Sequence, residues 1–211
     1  QFVTSCGLVV SLLLVLAVFA ASTPPLFEEI LPSKSHIVWV HDNARSEKRY
    51  LPETMGPGAA FFDYNNDGWM DLYLVSYGPC DFFKPAKTLQ GALYQNNGDG
   101  SFPDVTAKAA VGGNVFGMGV AAGDYDNNGD VDLLITAYAH SPVLYRNNGD
   151  GTFSAPSGIF PMRPFQPDIL ATDVNNDGIT DLIINGVKIF WGNGNGTFRG
   201  PQGYYGGYGH E

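Results

Sequence analysis

Apolar and polar positions along this chain fall into one motif that occurs three times. A short apolar run, "AAFF" at 59–62, leads into an acidic stretch, "DYNNDGWMD" at 63–71, and a second apolar run, "LYLV", follows at once. The same order returns as "VAAG", "DYDNNGDVD" (124–132) and "LLIT", and again as "ILAT", "DVNNDGITD" (173–181) and "LIIN". The runs are short, rich in Leu, Ile, Val and Tyr, and bounded by turn residues, which predicts strands. A second motif travels with the first: "LYQNNGDGSF" (93–102), "LYRNNGDGTF" (144–153) and "IFWGNGNGTF" (189–198). Its Asn and Gly residues accept positive φ at little cost, so it predicts hairpin turns. Each cassette therefore predicts about four short antiparallel strands. Helical spacing is confined to the N-terminal leader and a turn near "VTAKAAV".

The acidic loops begin at Asp63, Asp124 and Asp173, offsets of 61 and 49 residues. Two motifs recurring in one order at such a period point to propellers, solenoids or arrays, and a four-stranded unit suits a propeller blade. The expected fold is all-β, with β-propeller blades as four-stranded antiparallel repeats at about 56–110, 115–160 and 166–203, inside a repeat region spanning 50–203. Three blades are too few to close a ring, since propellers have four to eight. The expectation is an open arc, belonging to a longer chain or assembling with copies of itself. The first cassette carries extra residues around 76–90, "SYGPCDFFKPAKTLQ", which read equally as a binding-face insertion or a passive loop.

The flanks are different in kind. Residues 7–21 are apolar except for Ser11, short for a membrane span and right for a secretory h-region, with a cut expected before Ala21. A signal peptide over 1–22 is the first reading and a short N-terminal anchor the second. Residues 23–49 form a lead-in segment, and 204–211 a Gly/Tyr-rich tail. Cys6 and Cys80 make neither a disulfide framework nor a CxxC metal pair.

With 44% hydrophobic residues, the 211-residue chain can bury a core. Its net charge of −10 argues against a nucleic-acid groove and favours cations as partners. In each acidic loop, positions 1, 3 and 5 direct oxygens inward, Gly at 6 allows the turn, position 7 offers a carbonyl, and Asp at 9 closes the shell. Hard oxygen donors in such a cage suit Ca²⁺, and the loops hold no His or Cys for zinc or copper. An EF-hand needs Glu at position 12 between helices. Position 12 here is Leu74, Ile135 or Ile184, inside a predicted strand.

These residues carry a resemblance. "VFGMGVAAGDYDNNGDVDLLITAY" resembles the FG-GAP repeat of integrin α-subunit propellers and bacterial surface proteins, and the "LYxNNGDGTF" cassette resembles the related VCBS repeat. "YLPETMGPGAAFFDYNNDGWMDLYLV" resembles the secreted ASPIC/UnbV, cartilage acidic protein-like family. The resemblance implies a propeller of about seven blades with calcium in inter-strand loops. It implies about three Ca²⁺ sites: Asp63, Asn65, Asp67, the Trp69 carbonyl and Asp71; Asp124, Asp126, Asn128, the Asp130 carbonyl and Asp132; and Asp173, Asn175, Asp177, the Ile179 carbonyl and Asp181. The third cassette departs from the pattern, with Gln166 and Asp168 where the others have Gly56 and Gly58, or Gly117 and Gly119.

No nucleophile–base pair, phosphate loop or zinc motif stands out. The expected function is therefore a non-enzymatic, calcium-binding scaffold for adhesion. It is expected to be secreted or on the cell surface (periplasmic or outer surface in a bacterium), with an extracellular protein or glycan as partner. Contact with membrane would come only through the N-terminal anchor. The alternative is part of a calcium-dependent propeller enzyme, a polysaccharide lyase or hydrolase, since fold alone does not fix function.

Overall fold

The computed structural model describes residues 28–113, 115–138, 140–154, 157–158, 169–184 and 188–203. The leader, the tail, Gln166 and Asp168 lie outside the described residues. Three antiparallel meanders follow one another. The first sheet holds β1 (Ala59–Phe62), β2 (Asp71–Leu74) and β3 (Ala92–Tyr94). The second holds β4 (Gly117–Gly123), β5 (Asp132–Ala137), β6 (His140–Tyr145) and β7 (Ser157–Gly158). The third holds β8 (Ile169–Thr172), β9 (Asp181–Ile184), β10 (Lys188–Gly192) and β11 (Phe198–Gly203). β4 lies against β1 on one side and β8 on the other, so the sheets stand like blades in chain order, in an open series.

The first sheet departs from the four-stranded expectation. Its fourth strand is reduced to a bridge between Tyr94 and Asp104, and the short helix α2 (Thr106–Ala109) follows. Pro103 has no N–H to give a ladder. Beyond it the Asp104 carboxylate accepts the Thr106 amide (2.9 Å), and the Thr106 hydroxyl accepts the Leu93 amide (2.8 Å), so side chains turn the backbone into the helix.

Burial is concentrated between sheets. Phe62, Tyr64, Tyr73, Val75 and Leu93 of the first cassette meet Leu133, Ile135, Tyr145 and Phe153 of the second. A smaller core joins Leu134 and Leu144 to Leu182 and Phe190. Fully burying a large aliphatic or aromatic side chain is worth about 1.5–3 kcal/mol. The joints between repeats thus carry the stability, as in other stacked-repeat proteins.

The extra segment of the first cassette folds inward. Tyr77 and Cys80 are buried with Phe116 and Ala44, and Phe82 and Phe83 pack around them. Tyr77 stacks on Phe116 at 4.0 Å between ring centroids, and Phe82 meets Tyr138 edge-on at 5.5 Å. Burial pushes the Cys80 thiol up, away from the reactive thiolate. This aromatic plug sits at the β2–β3 end of the first sheet, opposite the acidic loops.

The lead-in segment completes the first blade. Helix α1 (Pro32–Ser35) ends on His36 at φ 61°, as α2 ends on Ala110 at φ 60°. The Ser35 carbonyl accepts the Phe102 amide at 2.8 Å, and the Ala109 carbonyl accepts the equivalent Phe153 amide at 2.8 Å. The first two hairpins are thus each closed by a turn of helix from the segment before them. Further on, "LPET" forms a 3-10 turn over Leu51–Thr54. Its Glu53 carboxylate accepts from the Ser46 amide (2.7 Å), the Ser46 hydroxyl and the Tyr50 amide (2.9 Å).

Candidate metal centre

The three acidic loops have one geometry. Phe62 pairs with Asp71, Gly123 with Asp132 and Thr172 with Asp181, so the loops occupy 63–70, 124–131 and 173–180 in identical register. Position 1 ties each loop to itself: Asp63 accepts the Asp67 and Gly68 amides, Asp124 those of Asn128 and Gly129, and Asp173 those of Asp177 and Gly178, at 2.8–3.1 Å. Position 4 is left-handed in every copy (Asn66, Asn127, Asn176), as is the glycine at position 6, which explains why Asn and Gly stand there. At position 5, Asp67, Asn128 and Asp177 accept the amide two residues on.

Position 9 does more than the sequence indicated. Asp71, Asp132 and Asp181 are essentially fully buried, and each carboxylate bridges two strands. One oxygen accepts the amide of position 2 (Tyr64, Tyr125 or Val174), and the other accepts an amide of the neighbouring hairpin (Asn96, Asn147 or Gly192), at 2.7–3.1 Å. Burial raises the Asp71 carboxyl; these two amides oppose the rise, and Asp67 and Asp63 add to it. The same balance pushes Asp132 up to about 7, with burial first and the Asp126 and Asp124 charges adding to it.

The loops differ at position 3. Asn65 donates to the Asp67 carboxylate at 2.8 Å, and Asn175 donates to Asp177 at 2.8 Å. The second loop has a carboxylate there instead of an amide, Asp126. Among the described residues, Asp124, Asp126 and Asp132 form the one group of three acidic, His or Cys side chains whose ligand atoms all lie within 4.8 Å of one another. The Asp126 side chain is 8% exposed; its Oδ2 accepts from Arg146 Nε at 2.5 Å, and its Oδ1 is buried with no donor. A buried carboxylate oxygen without a donor is costly, and a divalent cation would satisfy it. The residues therefore fit a calcium-type ion best in the second loop. Asp63, Asp67 and Asp71, and likewise Asp173, Asp177 and Asp181, do not converge to that degree.

Position 7 faces the hairpin. The side chains of Trp69, Asp130 and Ile179 lie over Gly98, Gly149 and Gly194, where a Cβ would stand 2.5, 2.6 and 3.3 Å from them. Asp130 also accepts from Asn66 of the first loop at 2.8 Å, linking the two loops.

Several contacts around the loops escape a reading of the acidic motif alone. Tyr64 stacks on Phe153, and Tyr125 on Phe198, each across to the next cassette. The buried Asn147 amide donates to the Tyr64 carbonyl (2.8 Å) and the Val131 carbonyl (3.1 Å). Arg146 reaches Asp126 from the hairpin. The available signal was the pairing of the two motifs: a position-2 aromatic, a hairpin Phe, and one Arg where the other hairpins have Gln95 and Trp191.

Comparison with known proteins agrees with this architecture. The FG-GAP-like repeat model matches residues 63–135 and 124–184, more than half of the chain. The chain belongs to the FG-GAP-like repeat family. Among curated relatives of this repeat protein, cartilage acidic protein 1 of Mus musculus is 28% identical over 138 residues, covering 60% of the chain and 20% of that protein. The Homo sapiens protein is 27% identical over 138 residues. The matched part thus spans about a fifth of these relatives. Among solved structures, an Agrocybe aegerita lectin recognising non-reducing terminal N-acetylglucosamine is 19% identical with a TM-score of 0.46, covering 69% of this chain and 37% of the lectin. The V. cholerae biofilm matrix protein Bap1 is 17% identical with a TM-score of 0.31, covering 68% and 30%. No helix among the described residues is long and apolar enough to cross a membrane.

Proposed function

We propose that this FG-GAP repeat protein is a secreted or cell-surface module that binds Ca²⁺ in its acidic loops and acts as a non-enzymatic scaffold for an extracellular protein or glycan. The observation that carries the calcium reading is the buried, donor-less Asp126 Oδ1 beside Asp124 and Asp132. Asp124, Asp126, Asn128, the Asp130 carbonyl and Asp132 would hold the ion in the second loop. Asp63, Asn65, Asp67, the Trp69 carbonyl and Asp71, and Asp173, Asn175, Asp177, the Ile179 carbonyl and Asp181, are the corresponding sets in the others. A bound cation supplies positive charge between carboxylates that otherwise repel, and the chain's own hydrogen bonds fix those carboxylates in advance. The extracellular setting is supported by the family and by the likeness to cartilage acidic protein 1.

Calorimetric titration of the full chain tests the reading. We expect about three sites with Kd of roughly 10⁻⁵ to 10⁻³ M, the range of extracellular modules. At calcium about 100 times Kd, each site adds ~2.7 kcal/mol of stability. Superimposable thermal melts in calcium and in chelator refute it.

A further inference from the structure

We infer that Arg146 is a tethered counter-cation for the second acidic loop. It holds Asp126 when no divalent ion is bound, and it lowers this loop's affinity for such an ion below what its three converging carboxylates would otherwise give. The inference rests on the calcium reading above and divides the three sites into two classes.

The three hairpins place different residues at one position: Gln95, Arg146 and Trp191. The Arg146 side chain, 47% exposed, spans from its hairpin to Asp126. Gln95 instead accepts from the Tyr64 hydroxyl at 3.3 Å. In the first and third loops a neutral donor, Asn65 or Asn175, serves the position-5 carboxylate. Among the described residues, only the second loop is served by a full positive charge.

Asp126 is pinned from its other side as well. Gly196 of the third cassette packs so closely that a Cβ there would stand 3.2 Å from Asp126 Cβ and from the Tyr125 ring. Tyr125 is in turn held by its stack on Phe198 at 6.0 Å. A cation entering the loop therefore meets a fixed Asp126 and a movable, half-exposed Arg146. The remaining charged side chain of the loop, Asp130, is turned toward Asn66 of the first loop. Guanidinium and ion compete for the same carboxylate, and whichever is absent leaves Asp126 Oδ2 free for the other. A single positive charge about 5 Å from a divalent ion in a water-like dielectric weakens binding on the order of tenfold.

The test is a calcium titration of the full chain followed by two-dimensional amide NMR. Gly68, Gly129 and Gly178 occupy position 6 of the three loops, so each amide reports one site. In the native chain we expect the Arg146 Nε–H resonance to move together with Gly129 as calcium is added, and independently of Gly68 and Gly178. In Arg146→Gln, which installs the first hairpin's residue, the Gly129 midpoint should fall about tenfold while the other two stay fixed. The calcium-free protein should also melt at a lower temperature. Arg146→Lys keeps the charge and loses the planar Nε–H; its Gly129 midpoint should stay near the native one, and it serves if the Gln variant does not fold. An unchanged or raised Gly129 midpoint in Arg146→Gln, a lowered one in Arg146→Lys, or a motionless Nε–H resonance overturns the inference while leaving calcium binding intact. If Gly129 ignores calcium in every variant, the second loop holds no ion and both readings fall.

Discussion

Replacing Asn147 by Ala should separate the joint between repeats from the turn within one. Asn147 is fully buried and its side chain makes three hydrogen bonds: to the Tyr64 carbonyl of the first cassette (2.8 Å), to the Val131 carbonyl (3.1 Å), and from the Gly149 amide (3.0 Å). Truncation leaves the buried Tyr64 carbonyl, the half-buried Val131 carbonyl and the Gly149 amide without these partners, at a cost of about 1 kcal/mol or more for each. The sum is roughly 3–4 kcal/mol, or about 6–15 °C in melting temperature for a chain of this size. Asn96 is the same residue in the first hairpin, but its side chain bonds only the Met70 carbonyl (3.0 Å) and the Gly98 amide (2.9 Å), both exposed. Asn96→Ala should cost about 1 kcal/mol. Urea unfolding of the full chain at fixed calcium measures both, and equal slopes against urea show that equal surface is exposed. If the two variants lie within 1 kcal/mol of each other, the cross-cassette bond is not what makes Asn147 important.

Two further outcomes are expected. Gly117 and Gly56 each stand seven residues before an acidic loop, yet a Cβ at Gly117 would lie 2.4 Å from Val75 Cγ1, whereas nothing lies within 4 Å at Gly56. Gly117→Ala should therefore cost about 1–3 kcal/mol by overpacking, and Gly56→Ala should stay within about 0.5 kcal/mol of the native protein; thermal melts decide. Both ring nitrogens of His41 are buried without partners, between Trp39 and Tyr77, and burial lowers its pKa while Asp42 opposes this. The unfolded chain then binds the proton more readily, so stability present above about pH 6.5 declines as pH falls through the folded pKa. A melt series from pH 7.5 to 5 should show that loss as the difference between the native chain and His41→Phe, in which the opposite trend from the raised Asp132 carboxyl cancels.

Much of the blade pattern is legible in residue order because it is local. The acidic nonapeptides fix both their own conformation and the register of the flanking strands, so Phe62–Asp71, Gly123–Asp132 and Thr172–Asp181 repeat one pairing. The NNGDG stretches are hairpins for equally local reasons. What residue order does not reveal depends on contacts distant in sequence. The 76–90 segment reads as a loop, but its aromatics find Phe116 and Tyr138, and no periodicity could anticipate that. The fourth strand of the first sheet is lost because Pro103 and the Asp104–Thr106 pair favour a helix, a choice between two allowed local outcomes. Position 9 reads simply as an acidic ligand position. Its burial and its two amide partners follow only once the hairpin is folded beside the loop.

The cross-cassette contacts also redefine the portable piece of this protein. Tyr64 finds its stacking partner in the next sheet, and so does Tyr125, so cutting the chain between sheets severs a joint instead of freeing a module. A segment running from one acidic loop to the hairpin of the next cassette keeps that joint whole. Lengthening or shortening the array by gene duplication or by engineering should therefore succeed with boundaries drawn there, and fail with boundaries that respect each sheet.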